Sequence, residues 1–318
     1  MNDDMSNDMN NDMSKDMSNY TSSYLESSAR ERIVRLFDAG SFVEFLPPSA
    51  RVISPHLGQL DAPVAFDDGV VVGRATLGGQ VVFAAAQEGG FMGGAVGEVH
   101  GAKLVGLLRR AAADKIPAVV LLLETGGVRL HEANAGLIAV SEVMRAVLDA
   151  RAAGVAVVTL AGGSNGVFGG MGIVARCTNA VLMSEEGRLA MSGPEVIETA
   201  SGVEEFDARD RALVWRTTGG KHRYLLGDCQ AIVADSVAEF RQAAIAAIAA
   251  CASRPTALNL AELEQEHAML GERIVRFGAM TDPLEIWAAL GIEEPAAIPM
   301  QDAAQFVAAA SKHRLGGC

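Results

Sequence analysis

Short apolar runs alternate with longer amphipathic segments through the middle of this chain. The pattern predicts two strands, at 70–77 and 81–86, joined by a tight Gly78-Gly79 turn. Further apolar runs predict buried strands at 117–123, 155–160, 180–183 and 231–233. Helical spacing predicts helices at 28–37, 102–114, 132–153, 170–177, 207–216 and 236–252. Because strands that alternate with helices through short links pair in parallel, the pattern indicates an α/β fold.

The two ends of the chain depart from this pattern. Residues 1–22 hold a degenerate repeat in which Met recurs at every fourth position among Asn, Asp and Ser, which are weak helix formers. We therefore expect a disordered acidic tail at 1–22. Residues 23–255 are predicted to form the α/β domain, and residues 256–318 a helical C-terminal extension that three prolines interrupt.

Composition and charge narrow the function classes. The 318-residue chain has a formal net charge of −13, whereas a nucleic-acid-binding face is basic, so no nucleic-acid partner is expected. No apolar run reaches the roughly 18 residues of a membrane span, and the acidic N-terminus lacks the layout of a signal peptide. Neither the four cysteines nor the six histidines show the spacing of a metal site. We expect a cytoplasmic protein without a membrane partner or a bound metal.

Two predicted strands each run into a glycine-rich turn. The strand at 117–123 leads to Gly126-Gly127, and the strand at 155–160 leads to a longer turn that ends with Gly169-Gly170. Glycine lets a ligand approach the backbone closely, and exposed N–H groups favour negative charge. We therefore predict that Gly126, Gly127, Gly169 and Gly170 stabilise an oxyanion through their amides or through the turns that present them. His131 follows the first turn and is a candidate for proton transfer.

Two other motifs allow a different chemistry. Gly162-x-Ser164-x-Gly166 after a strand has the form of the nucleophile elbow of a serine hydrolase, and Asp210 with His222, or Asp235 with His267, would complete a triad in the required order. Glycines rather than a helix follow the serine, which favours a plain turn. The basic run from Lys221 to Arg223 fits either a solvated turn or a phosphate contact for a nucleotide-like group.

Three ordered motifs resemble the carboxyltransferase family of the crotonase superfamily. They are Phe91-Met92-Gly93-Gly94-Ala95-Val96-Gly97-Glu98, Gly126-Gly127-Val128-Arg129-Leu130-His131-Glu132 and Pro194-Glu195-Val196-Ile197-Glu198-Thr199. The resemblance covers about residues 27–250. It implies a crotonase-like β-β-α superhelix in which amides near both glycine turns bind a thioester oxygen. It also implies substrate contacts from Phe91, Met92, Gly93, Gly94 and Arg129, with Lys221 and Arg223 as further candidates.

Within this family the chain looks most like the β subunits of biotin-independent malonate decarboxylases. The segment from Trp215 to Arg223 resembles that branch, and residues 1–176 hold no cysteine for the zinc ribbon of the bacterial acetyl-CoA carboxylase subunit. The resemblance implies decarboxylation of malonyl-S-acyl carrier protein to acetyl-S-acyl carrier protein, with the substrate on a CoA-like prosthetic group and no biotin. It further implies a hetero-oligomer with a γ subunit and an acyl carrier protein. A biotin-dependent carboxyltransferase subunit and a non-catalytic scaffold remain alternatives.

Overall fold

A seven-stranded sheet forms the centre of the protein, in a computed structural model that describes residues 22–316. The strands are β1 Val43–Glu44, β2 Val70–Leu77, β3 Gln80–Gln87, β4 Ala118–Leu123, β5 Ala156–Ala161, β6 Ala180–Ser184 and β7 Ala231–Val233. Each strand lies beside its predecessor; β1 to β3 pair antiparallel and β3 to β7 pair parallel. The predicted tail at 1–22 lies outside the described residues except for Ser22, so its disorder stays a prediction.

Helices connect and cover these strands. They are α1 Ala29–Leu36, α2 Glu98–Ala113, α3 Asn134–Ala152, α4 Gly170–Arg176, α5 Pro194–Ser201, α6 Arg211–Thr218, α7 Gly220–Leu225, α8 Val237–Ala252, α9 Leu260–Phe277, α10 Pro283–Ala289 and α11 Ala303–Ala310. Among residues 22–316, none of them has both the length and the apolar character that a bilayer crossing needs.

The sheet buries both faces, because its strands alternate side chains between two cores. One core joins sheet residues to α1 and α8, with Phe240 fully buried. The other joins the sheet to α2 and α3 and also includes Trp287 and Phe306 from the C-terminal extension. The extension therefore packs on the same core as the sheet, while the proposed domain boundary at 255/256 stays a prediction.

A second, shorter β layer lies beyond the ends of the main strands. Isolated parallel bridges join Val96 to Val128, and Val167 to both Thr125 and Leu189. Each of these segments follows a main strand and precedes a helix, so the chain repeats a β-β-α unit. This repeat is the superhelix that the sequence motifs imply.

Most predicted elements are confirmed to within four residues, the starts of α2 and α6 differing most from the prediction. Helix α2 begins at Glu98 instead of 102, because Gly101 is a helix-packing residue: a Cβ on it would lie 2.5 Å from the Cβ of Ala139 in α3. The basic run, which the sequence allows to be either a solvated turn or a phosphate contact, forms α7. There, Gly220 lets the helix approach β6, since its Cβ would lie 2.5 Å from the carbonyl oxygen of Ser184.

Helix α7 anchors the C-terminal extension through a buried histidine. Trp287 Nε1 donates a hydrogen bond to His222 Nδ1 at 3.1 Å, which requires an unprotonated acceptor nitrogen. Burial and, to a smaller extent, the nearby charge of Arg223 together lower the pKa of His222 to about 3. Burial likewise lowers the pKa of His100, in α2, to about 3. Both rings are therefore neutral in the folded protein at neutral pH.

Because these two histidines are neutral in the folded protein, we expect its free energy of unfolding to fall in mild acid. The unfolded chain binds a proton on each ring below about pH 6.5, whereas the folded chain does so only near pH 3, so the free energy of unfolding declines as pH is lowered through this window. Urea unfolding at about pH 7.5 and pH 5 measures the decline. His222→Asn keeps an acceptor for Trp287 without the titration, and we expect a smaller decline. His267→Asn, on exposed α9, is the control; equal declines in both variants would contradict the assignment.

Candidate active site

Two loops at the carboxyl ends of β4 and β5 carry the predicted glycine motifs. We call residues 124–129 the first turn and residues 162–170 the second turn. The strands that lead to them are parallel neighbours in register, with Leu123 paired to Ala161. Both turns therefore leave the same edge of the sheet side by side.

The structure brings the two glycine pairs into contact. A Cβ built on Gly169 would lie 3.2 Å from the Cα of Gly127, so a side chain here would push the two turns apart. Two backbone hydrogen bonds fix this approach, from Thr125 N to Gly166 O at 2.8 Å and from Phe168 N to Thr125 O at 2.9 Å. Gly169 has φ +63° with ψ −145°, a conformation that L side chains rarely adopt.

The predicted oxyanion donors are not equally available. Gly126 N donates to Gly93 O at 2.8 Å, Gly127 N to the Thr125 hydroxyl at 3.1 Å, and Gly169 N to Met191 O at 2.9 Å. Within residues 22–316, the N–H of Gly170, the first residue of α4, has no hydrogen-bond partner. Of the four predicted amides, Gly170 is thus the one free to bind a ligand, and the other three glycines shape the turns.

The segment 91–94 packs against the first turn. Gly93 and Gly94 have positive φ, and a Cβ on Gly94 would lie 1.9 Å from the carbonyl oxygen of Glu124. Phe91 contributes an aromatic face, with the Arg129 guanidinium 5.1 Å from the ring centroid. These contacts give the segment a supporting role, while its predicted contact with substrate, including that of Met92, stays a prediction.

Arg129, the last residue of the first turn, has a buried side chain. Its guanidinium donates to the Asp68 carboxylate at 2.8 Å, to Glu132 at 3.1 Å and to Ala95 O at 2.9 Å. Burial acts to raise the pKa of Glu132, but hydrogen bonds from the Glu98 amide and from Arg129 hold it below its ordinary value. A direct contact of Arg129 with substrate, as the motif implies, would require these bonds to be exchanged and stays a prediction.

The basic run in α7 is engaged within the chain. Lys221 Nζ pairs with Glu185 at 3.0 Å and donates to backbone carbonyls of the segment 298–301. Arg223 donates to Asp228 at 3.2 Å. Sequence reasoning missed these anchoring contacts, because the partner carbonyls lie far along the chain. Phosphate or carrier-protein contacts from these residues stay predictions.

His131 is the predicted residue with the freest side chain. It is exposed in the single helical turn Leu130–Glu132 that directly follows the first turn. Among the described residues, its ring has no hydrogen-bond partner. The ring of His131 is therefore free to contact another molecule, while its predicted part in proton transfer stays a prediction.

The structure gives Ser164 a different partner from the one that a hydrolase requires. Its hydroxyl donates to Glu124 Oε1 at 3.0 Å, and no histidine within residues 22–316 hydrogen-bonds to it. Of the proposed triad members, Asp210 caps α6 and His222 is bound to Trp287. The geometry thus contradicts the nucleophile-elbow interpretation. Over the same residues, no three His, Cys, Asp or Glu side chains form a group that could hold a metal ion.

Comparison with known proteins places this site in a family. The model of the carboxyl transferase domain matches residues 26–232, which include both turns and their supporting segments. The chain belongs to the carboxyl transferase family. A relative in Malonomonas rubra, the malonyl-S-ACP:biotin-protein carboxyltransferase, is 40% identical over 310 residues, covering 91% of this chain and 95% of the relative.

Two solved structures resemble this carboxyl transferase. A Pseudomonas malonate decarboxylase hetero-tetramer in complex with malonate has a chain with 44% identity and a TM-score of 0.70, covering 74% of this chain and 86% of the other. The Pseudomonas MdcD–MdcE hetero-dimer matches at 41% identity and a TM-score of 0.59, covering 71% and 88%. The crotonase-like fold and the resemblance to malonate decarboxylase, both predicted from the motifs, are confirmed.

The buried contacts of Arg129 predict a large loss of stability on a conservative change. In Arg129→Lys a single ammonium cannot reach Asp68, Glu132 and Ala95 together, so buried acceptors lose their donors. We expect the free energy of unfolding to fall by about 3 kcal/mol, measured by urea denaturation. Arg74→Lys, at an exposed position of β2, is the matched control and should change it little. Equal effects of the two substitutions would show that the guanidinium fork is not required.

Proposed function

We propose that this carboxyl transferase is a malonate decarboxylase subunit that converts malonyl-S-acyl carrier protein to acetyl-S-acyl carrier protein and CO₂. The contact between the two glycine turns, with the free amide of Gly170 beside it, is the observation that carries the proposal. The names of the relatives agree with it: the Malonomonas rubra protein acts on malonyl-S-ACP, and the Pseudomonas enzyme is a malonate decarboxylase with malonate bound.

Decarboxylation of a malonyl thioester requires hydrogen-bond donors at the thioester oxygen, and the free N–H of Gly170 is such a donor. When the bond between the malonyl carboxylate and C2 breaks, CO₂ leaves and the electron pair moves into an enolate whose charge lies on the thioester oxygen. Preorganised N–H donors at that oxygen stabilise the transition state, and loss of one donor typically costs about 10²- to 10³-fold in rate. Gly170 would donate to the oxygen, while Gly126, Gly127 and Gly169 leave room for it. A proton then adds to C2, and exposed His131 is the side chain available to deliver it.

We further propose that a γ subunit completes the site and that the acyl carrier protein delivers the thioester on its CoA-like prosthetic group. Apolar side chains next to the turns are exposed, with Leu130 at 89% and Met191 at 63%. Exposed apolar groups clustered at a site are typical of an interface. The Pseudomonas structures are a hetero-tetramer and a hetero-dimer, which supports a hetero-oligomer here. A cytoplasmic location remains part of this proposal.

A second function has one specific observation in its favour. The Malonomonas rubra relative is named as a biotin-protein carboxyltransferase, so it passes the malonyl carboxyl group to biotin. The same enolate forms in both reactions, and the turns would serve either one. The two functions differ only in the fate of the carboxyl group.

Avidin separates the two functions. The purified native complex is supplied with malonyl carrier protein, and CO₂ release is followed with and without avidin, which sequesters biotin. If the proposed decarboxylase acts directly, we expect CO₂ release at the same rate in both samples, because no step uses biotin. Release that stops on addition of avidin would establish carboxyl transfer to biotin instead. The Malonomonas rubra protein with its biotin protein serves as the avidin-sensitive control, with transfer of the carboxyl group to biotin as its readout.

Gly169→Ala tests the contact between the turns. The new Cβ would lie 3.2 Å from Gly127 Cα at a residue with φ +63°, so the turns must separate or twist. We expect kcat for decarboxylation to fall about 10²- to 10³-fold, as for a lost oxyanion donor. Gly40→Ala is the matched control: it has φ +68°, but nothing lies within 4 Å of the new Cβ, so it reports backbone strain alone. Equal activities in the two variants would exclude a role for the contact.

A further inference from the structure

Glu124 is a buried carboxylate that belongs to the first turn but binds the second. It follows β4 directly and is 4% exposed. Its Oε1 accepts hydrogen bonds from the Ser164 hydroxyl at 3.0 Å and from the Asn165 amide at 3.2 Å. These two donors stand at the start of the loop that ends with Gly169 and Gly170. One side chain thus links the beginning of one turn to the beginning of the other.

The backbone packs closely around this carboxylate. A Cβ on Gly89 would lie 2.3 Å from Glu124 Oε1, and a Cβ on Gly163 would lie 2.4 Å from its Oε2. Because Gly89 and Gly163 have no side chain, their backbone atoms can lie directly against the carboxylate. The amide of Glu124 is held as well, since it donates to Gln87 Oε1 at 3.0 Å. The side chain and its backbone are both fixed.

The charge of Glu124 is balanced by an arginine from the first helix. Arg32 of α1, 1% exposed, donates to Glu124 Oε2. Its Nε donates to Tyr24 O at 2.9 Å, and its guanidinium lies 4.5 Å from the centroid of the Tyr24 ring. Because a buried carboxylate is stable only with a charge partner and hydrogen bonds, Arg32 is required for Glu124 to hold the second turn.

We propose that Glu124 is a positioning residue for the reaction. Its carboxylate sets the place of the second turn, and with it that of the Gly170 amide, relative to Gly127. Arg32 fixes the carboxylate through its other oxygen, Oε2. This inference rests on the proposed function. In it, the acidic side chain of Glu124 aligns the backbone N–H groups that would bind the substrate oxygen.

Glu124→Gln tests the proposal in the assembled complex. Glutamine can still accept from Ser164 and Asn165, but its neutral amide leaves Arg32 without a counter-charge. We expect kcat for decarboxylation to fall about 100-fold, the typical effect of a misplacement of about 1 Å, with little change in KM for malonyl carrier protein. Hydrogen exchange of the amides in 162–171 should become faster, because a side chain that Arg32 no longer fixes holds the second turn less firmly.

Asp38→Asn is the matched control. Asp38 also accepts from two backbone amides, Gly78 at 3.1 Å and Gly79 at 2.8 Å, and pairs with an arginine, Arg241, but it lies at the β2–β3 hairpin. It should leave kcat and exchange in 162–171 unchanged. Wild-type values of kcat and exchange in Glu124→Gln, or a fall of kcat in both variants, would overturn the proposal.

Two milder variants keep the test decisive if Glu124→Gln does not fold. Ser164→Ala removes one donor to Glu124 and should lower kcat about tenfold, the equivalent of one charge-assisted hydrogen bond. Ser164→Thr retains the hydroxyl, so its kcat should stay close to the wild-type value. Equal kcat values in Ser164→Ala and Ser164→Thr would overturn the proposal. A wild-type complex without decarboxylase activity would contradict the proposed function instead, and the exchange measurement would still decide whether Glu124 anchors the turn.

Discussion

The parallel register between β4 and β5 is the constraint on which the rest of the site depends. Because Leu123 and Ala161 are paired, the two loops leave the sheet at the same height and only one strand apart. Every later contact, from the hydrogen bonds of Thr125 to the approach of Gly169 to Gly127, presupposes that placement. A shift of register by one residue would exchange the faces of the strand and break both cores.

The sheet places the loops, but buried polar groups give them their shape. Arg129 ties the first turn to the Asp68 region, and Glu124 ties it to the second turn. Each of these charges is satisfied by several partners, as burial demands. The protein thus uses side chains to build a site whose proposed chemistry is performed by the backbone. Such a site contains few of the residues that usually mark an active centre.

Much of this fold can be predicted from the sequence, because its strands are continuous apolar runs and its helices are amphipathic. The glycine motifs could likewise be assigned to one site, since successive parallel strands bring their ends together. The failures share a cause. Gly101 and Gly220 lie outside the predicted helices, yet each lets a helix approach a distant element closely. The free amide of Gly170 could not be distinguished from that of Gly169, whose partner Met191 lies in a remote segment. Contacts of this kind depend on the assembled fold.

The ion pair between Arg32 and Glu124 has a consequence for how the chain is made. The two residues are 92 positions apart, and Ser164, which completes the hydrogen bonding, is a further 40 along the chain. During synthesis Arg32 leaves the ribosome before Glu124 and Ser164. Its guanidinium stays solvated until both of these later residues are available. The contacts around Glu124 can therefore be completed only after the chain has been synthesised as far as Ser164. Contacts between residues this far apart in the sequence slow folding and leave an incomplete chain exposed to aggregation.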